Sequence, residues 1–425
     1  MPYRFVHTAD VHLDSPLRSL ALRNAEVAAL IGNATRQAFV NIIDLCLAED
    51  VDALLLSGDL YDGEQTSMKT ARFLATNLRR LHEAGIRTFI IRGNHDALSK
   101  ITRELVFADT VKVFGGRAES VSIDGENAGP PIVIHGLSFA KPHIAESLVP
   151  KYKPAIAGAV NIGMMHTSLA GAPGHDLYAP CSLADLQETG FRYWALGHIH
   201  KRSVTTDKGC TIVMPGIPQG RDINEAGQKS VTLVTVADDG DISTEARNVG
   251  IAQFERVSVD VAGIDDWRDL ANRLSVSIVE ARAAAGADKL VMRLRLTGET
   301  PLAWRIRRDL DLLKTEADDR ADVVGAAWVE KLETSASIQQ LEKAVSADPV
   351  LELRQLITSN VAMSESFLSE ATQIANALTA QLPPECRAFL GADEAAFHEA
   401  LAELVVDGAD DVVARLLAIT GGEES

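Results

Sequence analysis

The first 250 residues predict an α/β fold, and two observations carry that reading. Short apolar runs at 5–8, 53–57 and 88–92 alternate with helical patterns at 26–48 and 67–84. This β-α-β-α-β order belongs to parallel strands joined by crossover helices. From residue 111 on, further runs at 132–135, 162–166, 194–196 and 230–236 follow one another with fewer helices between them. A mixed or second sheet is expected there, since continued parallel winding would need a helix after each strand.

A second unit starts near Phe254. Residues 254–259 read as a strand, 265–285 as a helix, 289–296 as an alternating strand, 301–315 as a helix and 324–332 as a strand. The tail reads as helix at 350–360, 363–382, 394–406 and 410–419, interrupted by Pro383-Pro384 and Gly391. The expected division is 1–250, 251–345 and 346–425.

With 41 basic and 59 acidic residues among 425, the net charge is −18. That excludes a protein that coats nucleic acid through global charge, but not an enzyme with a local basic groove or bound cations. Residues 351–425 hold 13 acidic and 3 basic side chains, so the tail carries more than half of the excess. The cysteines (Cys46, Cys181, Cys210, Cys386) lie far apart, which argues against a disulfide scaffold or a zinc–thiolate cage. No long apolar run and no secretory core are seen, so the expectation is a soluble cytoplasmic protein without a membrane partner.

Five polar clusters each follow an apolar strand. They are Asp10-Val11-His12, Gly58-Asp59-Leu60-Tyr61-Asp62, Gly93-Asn94-His95-Asp96, His166, and Gly197-His198-Ile199-His200. In open α/β sheets, ligands bind beyond the carboxyl ends of the strands, where such clusters converge. The donors are carboxylate, imidazole and amide, a set suited to manganese, iron or zinc in a hydrolytic site. Residues two apart on extended chain point the same way, so Asp10 with His12, and His198 with His200, can reach one metal centre. Gly58 and Gly93 stand where the chain leaves a strand sharply and needs backbone freedom. Two metals roughly 3.5–4 Å apart would clamp a phosphate for in-line attack.

In this order the clusters resemble the calcineurin-like metallophosphoesterase superfamily, whose pattern is D-x-H, G-D-x-x-D, G-N-H-D, H and G-H-x-H. Residues 5–17, 58–63, 166–169, 178–181 and 193–198 are similar to the DNA-repair exonuclease branch, the SbcD-type nucleases, and most of all to YhaO-type proteins. The resemblance implies a four-layer α-β-β-α sandwich with a small α+β cap and a helical tail. It implies that Asp10, His12 and His200 hold one divalent ion, that Asn94, His166 and His198 hold a second, and that Asp59 bridges them. Mn2+ is the expected metal, with Mg2+, Fe or Zn as alternatives. His95 would face the scissile phosphate and either support the transition state or protonate the leaving oxygen, and Asp96 would orient either His95 or the loop. Asp62 departs from the histidine common at this place in SbcD-type nucleases, which bears on the mode of DNA cleavage and not on the metal site.

The expected function is therefore binuclear metal-dependent hydrolysis of DNA phosphodiester bonds, as an exonuclease that could also cut internally. The alternatives are a general phosphoesterase acting on small esters or nucleotides, and a scaffold with a vestigial site. DNA, met at duplex ends or as single strands, is the expected substrate, with nucleoid association during action. The resemblance also implies an SMC-like coiled-coil ATPase docked on the C-terminal helices, and the chain could pair with a second copy of itself. Packing of the tail on its own chain is the competing expectation. Arg92, His175 and Tyr178 are candidate substrate contacts, and Lys141, Lys201, Arg202 and Arg221 are candidate phosphate contacts or ordinary surface. Trp304 with Arg305, Arg307 and Arg308 forms either a DNA face or a core tryptophan beside a solvated helix. His7 and His135 read as structural, and His82, His143 and His398 as surface residues.

Overall fold

The computed structural model describes residues 2–15, 32–61, 67–97, 107–123, 129–169, 178–337, 349–362, 364–382, 391 and 393–420. The chain forms two compact units, one of Met1–Arg256, Arg282–Met292 and Ala326–Glu330, the other of Val257–Ala281, Arg293–Gly325 and Lys331–Ser425.

In the first unit, β1 (Tyr3–Thr8), β2 (Ala53–Ser57), β3 (Arg87–Ile91) and β4 (Val111–Val113) run parallel. With β11 (Ser230–Val236) antiparallel beside β1 and β12 (Ile242–Asn248) antiparallel beside β11, they make a six-stranded sheet, β12-β11-β1-β2-β3-β4. The second sheet is β5-β6-β7-β8-β10-β9. Its strands are β5 (Glu119–Ile123), β6 (Ile132–Gly136), β7 (Val160–His166), β8 (Tyr193–Gly197), β9 (Ser203–Asp207) and β10 (Cys210–Met214). The second sheet anticipated from the sequence is thus present, and it is mixed, with β6, β7, β8 and β10 parallel and β5 and β9 antiparallel at the edges.

Period-2 alternation sorts the side chains into layers. Phe5, Leu55, Phe89 and Ile91 from the first sheet meet Ile134, Ile162, Met164 and Tyr193 from the second in a buried core. The opposite face of the first sheet, with Val6, Leu54, Leu56 and Ile90, packs on α1 (Ala34–Ala48) and α2 (Met68–Glu83) through Phe39, Ile42, Leu74 and Leu78. Ser67 caps α2 by accepting from Thr70 N–H. The outer face of the second sheet is covered differently. Met165, Trp194, Leu196 and Ile212 pack on Phe139, Leu148 and Phe191, and on Leu186 of the short helix α3 (Leu183–Gln187). The four-layer reading holds, with a fourth layer made mostly of loop.

A third sheet has the order β13-β14-β15, from Ala252–Asp260, Lys289–Thr297 and Ala327–Thr334. Helix α4 (Trp267–Ala284) buries Leu270, Leu274 and Ile278. The single helix expected at 301–315 is two, α5 (Ala303–Arg308) and α6 (Leu310–Val324), because Asp309 (φ −103°, ψ 28°) leaves helical geometry. The tail holds α7 (Pro349–Leu356), α8 (Glu365–Gln381, capped by Ser364) and α9 (Glu394–Thr420). The break expected at 407–409 is absent, and α9 runs through Gly408.

Within this second unit the tail packs on its own chain. Arg307 of α5 pairs with Asp407 and Asp411 of α9 at 2.6 and 3.0 Å, and Arg354 of α7 grips Asp410. Arg305 lies over the Trp267 ring, Arg354 over the Trp304 ring, and Arg308 pairs with Asp309. The arginines near half-buried Trp304 are therefore engaged by acids and rings of the same unit, which neither expectation for this helix described. Among the described residues, no helix is long and apolar enough to cross a membrane.

Candidate active site

The clusters after β1, β2 and β3 meet those after β7 and β8 where the carboxyl ends of the two sheets come together. Ser57 Oγ donates to the Ala195 carbonyl across the sheets. The loops run side by side beyond that point, with Asp10 N–H on the Gly58 carbonyl and His12 N–H on the Asp59 carbonyl, both at 3.0 Å. Asp10, His12, Asp59 and His198 all have positive φ (53°, 44°, 53° and 103°). Left-handed backbone at residues with a Cβ costs on the order of 1 kcal/mol or more each and collects at functional sites. No sequence signal marks it beyond the tolerance of Asp and His for that region.

The two glycines differ in their reasons. Gly58 has φ +95°, so it needs the backbone freedom anticipated for it. Gly93 has no positive φ. It is required because a Cβ there would lie 2.7 Å from His166 Nε2 and closer still to Asp59 Oδ1.

The imidazoles are oriented from behind. His166 Nδ1 sits 3.0 Å from the Ser57 carbonyl and must donate to it, which turns Nε2 toward Asn94 Oδ1 at 3.0 Å and Asp59 Oδ2 at 3.3 Å. His200 Nδ1 sits 2.8 Å from Glu225 Oε1, which turns its Nε2 toward His12 Nε2 at 3.2 Å. Ring nitrogens and side-chain oxygens therefore gather at two places, His200 with His12 and His166 with Asn94 and Asp59. Asp10, His12 and His200 offer ligand atoms within 4.8 Å of one another, and so do Asp10, Asp59 and His166, with Asp10 common to both groups. His198 is half-buried; its backbone N–H donates to both Asp10 oxygens, and its ring lies edge-on to His166, centroids 5.2 Å apart.

The electrostatics call for a cation. Burial pushes the Asp10 carboxyl up, and burial then the negative Asp59 raise Asp96 to about 7. At Asp59 burial raises the pKa, but the His166, His12 and His95 imidazoles together more than offset it and hold the carboxyl below its usual range. At His166 burial works downward, yet Asp59 and Asp10 lift the ring to about 9. The protein alone settles these buried carboxylates by protonating His166. Divalent cations would do so directly, and the clustered O/N donor set fits them.

His95 is exposed beside this cluster. Its backbone N–H donates to Asp59 Oδ1 at 3.0 Å, and its ring lies 5.1 Å from that of His12. Asp96 takes the loop role of the two foreseen for it. It is fully buried and accepts from Leu60 N–H (3.1 Å) and Gly93 N–H (2.6 Å), fastening the second and third clusters together. Tyr178 is half-buried with its ring edge-on to His198 at 5.2 Å. Arg92 is half-buried, and its backbone N–H donates to Ser138 Oγ. His175 and Asp62 lie outside the described residues. Lys141 and Lys201 are exposed, while Arg202 donates to Thr232 Oγ1. Arg221 reaches Glu225 at 2.6 Å and so acts on the site's own carboxylate.

His7 is structural as read, its ring nitrogens on Tyr193 Oη and the Leu196 carbonyl, and His135 bonds Asn161. Sequence reasoning missed Glu225. Its only signal was the i, i+4 pairing with Arg221, which does not point to His200.

Two sheets that bring carboxylate, imidazole and amide donors to one rim, beside an exposed histidine, define a metal-dependent phosphoesterase. A family model for calcineurin-like phosphoesterases matches residues 3–202, and one for the middle domain of metallophosphoesterase YhaO matches residues 254–337. The uncharacterized metallophosphoesterase YhaO of Bacillus subtilis is 33% identical over 297 residues, 70% of this chain and 72% of that protein. The DNA double-strand break repair protein Mre11 of Sulfurisphaera tokodaii is 26% identical over 355 residues, 77% of this chain and 86% of that protein. The solved structure of TT1561 from Thermus thermophilus superposes with a TM-score of 0.34 at 16% identity, covering 59% of this chain and all of that one. The chain belongs to the calcineurin-like metallophosphoesterase family, and within it to the YhaO type.

Proposed function

We propose that the chain is a binuclear metal-dependent phosphodiesterase that hydrolyses DNA. The observation that carries this reading is the pair of donor-atom clusters, His200 with His12 and His166 with Asn94 and Asp59, flanked by exposed His95. Support for a DNA substrate comes from relatives named as DNA double-strand break repair proteins.

In this reading Asp10, His12 and His200 would hold one ion, Asn94, His166 and His198 would hold the other, and Asp59 would serve both. Two divalent ions, with Mn2+ favoured by the imidazole and carboxylate mix, supply charge neutralisation at the phosphate and acidify attacking water. His95 donates a proton to the leaving oxygen, a role its exposure and its place beside Asp59 suit. Asp96 holds the Leu60 and Gly93 loops so that Asp59 and Asn94 face each other. Tyr178 and Arg92 line the approach.

The tail would also dock an SMC-like coiled-coil ATPase. Leu404, Val406 and Val412 of α9 stay exposed although the helix packs on its own unit. Leu404→Asp with Val412→Asp should abolish capture of the purified ATPase, and retained capture would remove that partner from the reading.

Metal-stripped protein incubated with end-labelled duplex, single-stranded DNA and a chromogenic phosphodiester tests the substrate class. Each is run with Mn2+, Mg2+ or chelator. Mn2+-dependent shortening of DNA is expected. Turnover of the small ester with intact DNA would favour a general phosphoesterase.

A further inference from the structure

We infer that Glu225, held by Arg221, is a positioning residue that fixes His200 as a metal ligand. The inference rests on the binuclear reading and deepens it by naming what prepares one of the two ion positions.

Glu225 lies on the loop before β11, well away in sequence from all five clusters. Its side chain is only 11% exposed, and its Oε1 faces His200 Nδ1 at 2.8 Å. Carboxylate acceptors only accept, so His200 must carry its proton on Nδ1 and present the Nε2 lone pair. That Nε2 is the atom 3.2 Å from His12 Nε2 and grouped with Asp10. A carboxylate behind a ligating imidazole fixes its tautomer and angle and raises its basicity, and loss of such a partner typically costs about 10–100-fold in metal affinity.

Arg221 makes the carboxylate a fixed object. Its backbone N–H donates to Oε2 at 2.7 Å, and its Nη2 donates to Oε1 at 2.6 Å. Asp222 caps the short turn at Ile223–Glu225 by accepting from Asn224 N–H, which sets the direction from which Glu225 enters. The loop is therefore built around this one hydrogen bond to His200. The His166 ring is oriented by a backbone carbonyl instead. The His200 ring can thus be loosened by a side-chain substitution behind it, whereas the anchor behind His166 is main chain.

The test is Mn2+ titration by calorimetry on the full chain, with thermal unfolding of the metal-free forms alongside. Wild type should take two ions. Glu225→Ala should weaken one of them by about 10–100-fold and leave the other within about twofold. Glu225→Gln, which keeps a neutral acceptor for Nδ1–H, should restore most of the loss. His200→Ala should weaken the same ion, and adding Glu225→Ala to it should cost nothing further, because the effect runs through the ring. A purely structural Glu225 would instead add its loss to that of His200→Ala and weaken both ions together, and either result overturns the inference. Unchanged affinity in Glu225→Ala overturns it as well. One ion per wild-type chain would overturn the binuclear reading, while the same variants at that ion still decide the role of Glu225. Should Glu225→Ala not fold, Glu225→Gln against Glu225→Leu gives the same comparison.

Discussion

Gly93→Ala should damage the metal site while leaving the fold intact. The added methyl would sit 2.7 Å from both Cε1 and Nε2 of His166 and nearer still to Asp59 Oδ1, whereas real Cβ contacts are essentially never under 3.0 Å. Gly93 has no positive φ, so alanine meets no backbone strain and the effect is steric alone. His166 is fully buried and anchored on the Ser57 carbonyl, and Asp59 is 2% exposed and bonded to His95 N–H. Neither has space to retreat. Overpacking of this kind costs about 1–3 kcal/mol. At roughly 2–4 °C per kcal/mol, the metal-free melting temperature should fall by about 2–12 °C. If the same strain is instead felt on binding, Mn2+ affinity should drop by about 5–150-fold, since 1.4 kcal/mol is about tenfold. Gly32→Ala is the control, because a Cβ there meets nothing within 4 Å. Differential scanning calorimetry and Mn2+ titration of the two variants read the result. A Gly93→Ala protein with wild-type melting and wild-type Mn2+ affinity would refute the packing argument.

Other consequences follow from the same structure. Asp96 has a folded pKa of about 7, above the unfolded 3.8, so its contribution to stability is full below pH 3.8 and lost as pH rises through 7. Asp96→Asn keeps a neutral side chain like the protonated acid, so wild-type stability relative to the variant should be highest in acid and fall as pH rises through 7 in metal-free protein; unfolding curves showing it rise toward alkaline pH would contradict the assignment. His7 is buried neutral, its pKa lowered by burial to about 3, so its stabilisation is present above pH 6.5 and lost as pH falls toward 3. His7→Gln should remove about one proton from the uptake that accompanies unfolding in that window, measured from the pH slope of stability. Gly408→Ala fills open space inside α9 and should stabilise by about 0.5–1 kcal/mol; destabilisation would mean that the helix breaks there.

The candidate metal donors were legible because each follows a strand whose apolar run is unmistakable, and because parallel strands deliver their carboxyl ends to one rim. Edge strands were harder to read. Ser203–Asp207 and Ile242–Asn248 are polar and largely exposed, so neither carries a burial pattern. The helical pattern lapses at 407–409, but α9 runs through it, with Asp407, Asp410 and Asp411 fastened on both sides by Arg307 and Arg354. Asp309 splits the helix expected at 301–315 without any proline or glycine to announce it. Glu225 could not be found from sequence, since its meaning lies in a contact 25 residues back at His200. The need for glycine at position 93 was legible, but its reason, the lack of room beside His166, appears only in three dimensions.

In the proposed reaction His95 acts on the phosphate while its neighbours hold the metals. The decisive experiment is His95→Asn, assayed with Mn2+ on end-labelled duplex DNA beside a measurement of bound Mn2+. Turnover should fall by about 10²–10⁴-fold with Mn2+ content unchanged. Mn2+ content falling in step with activity, or DNA cleavage that survives the substitution, would contradict it.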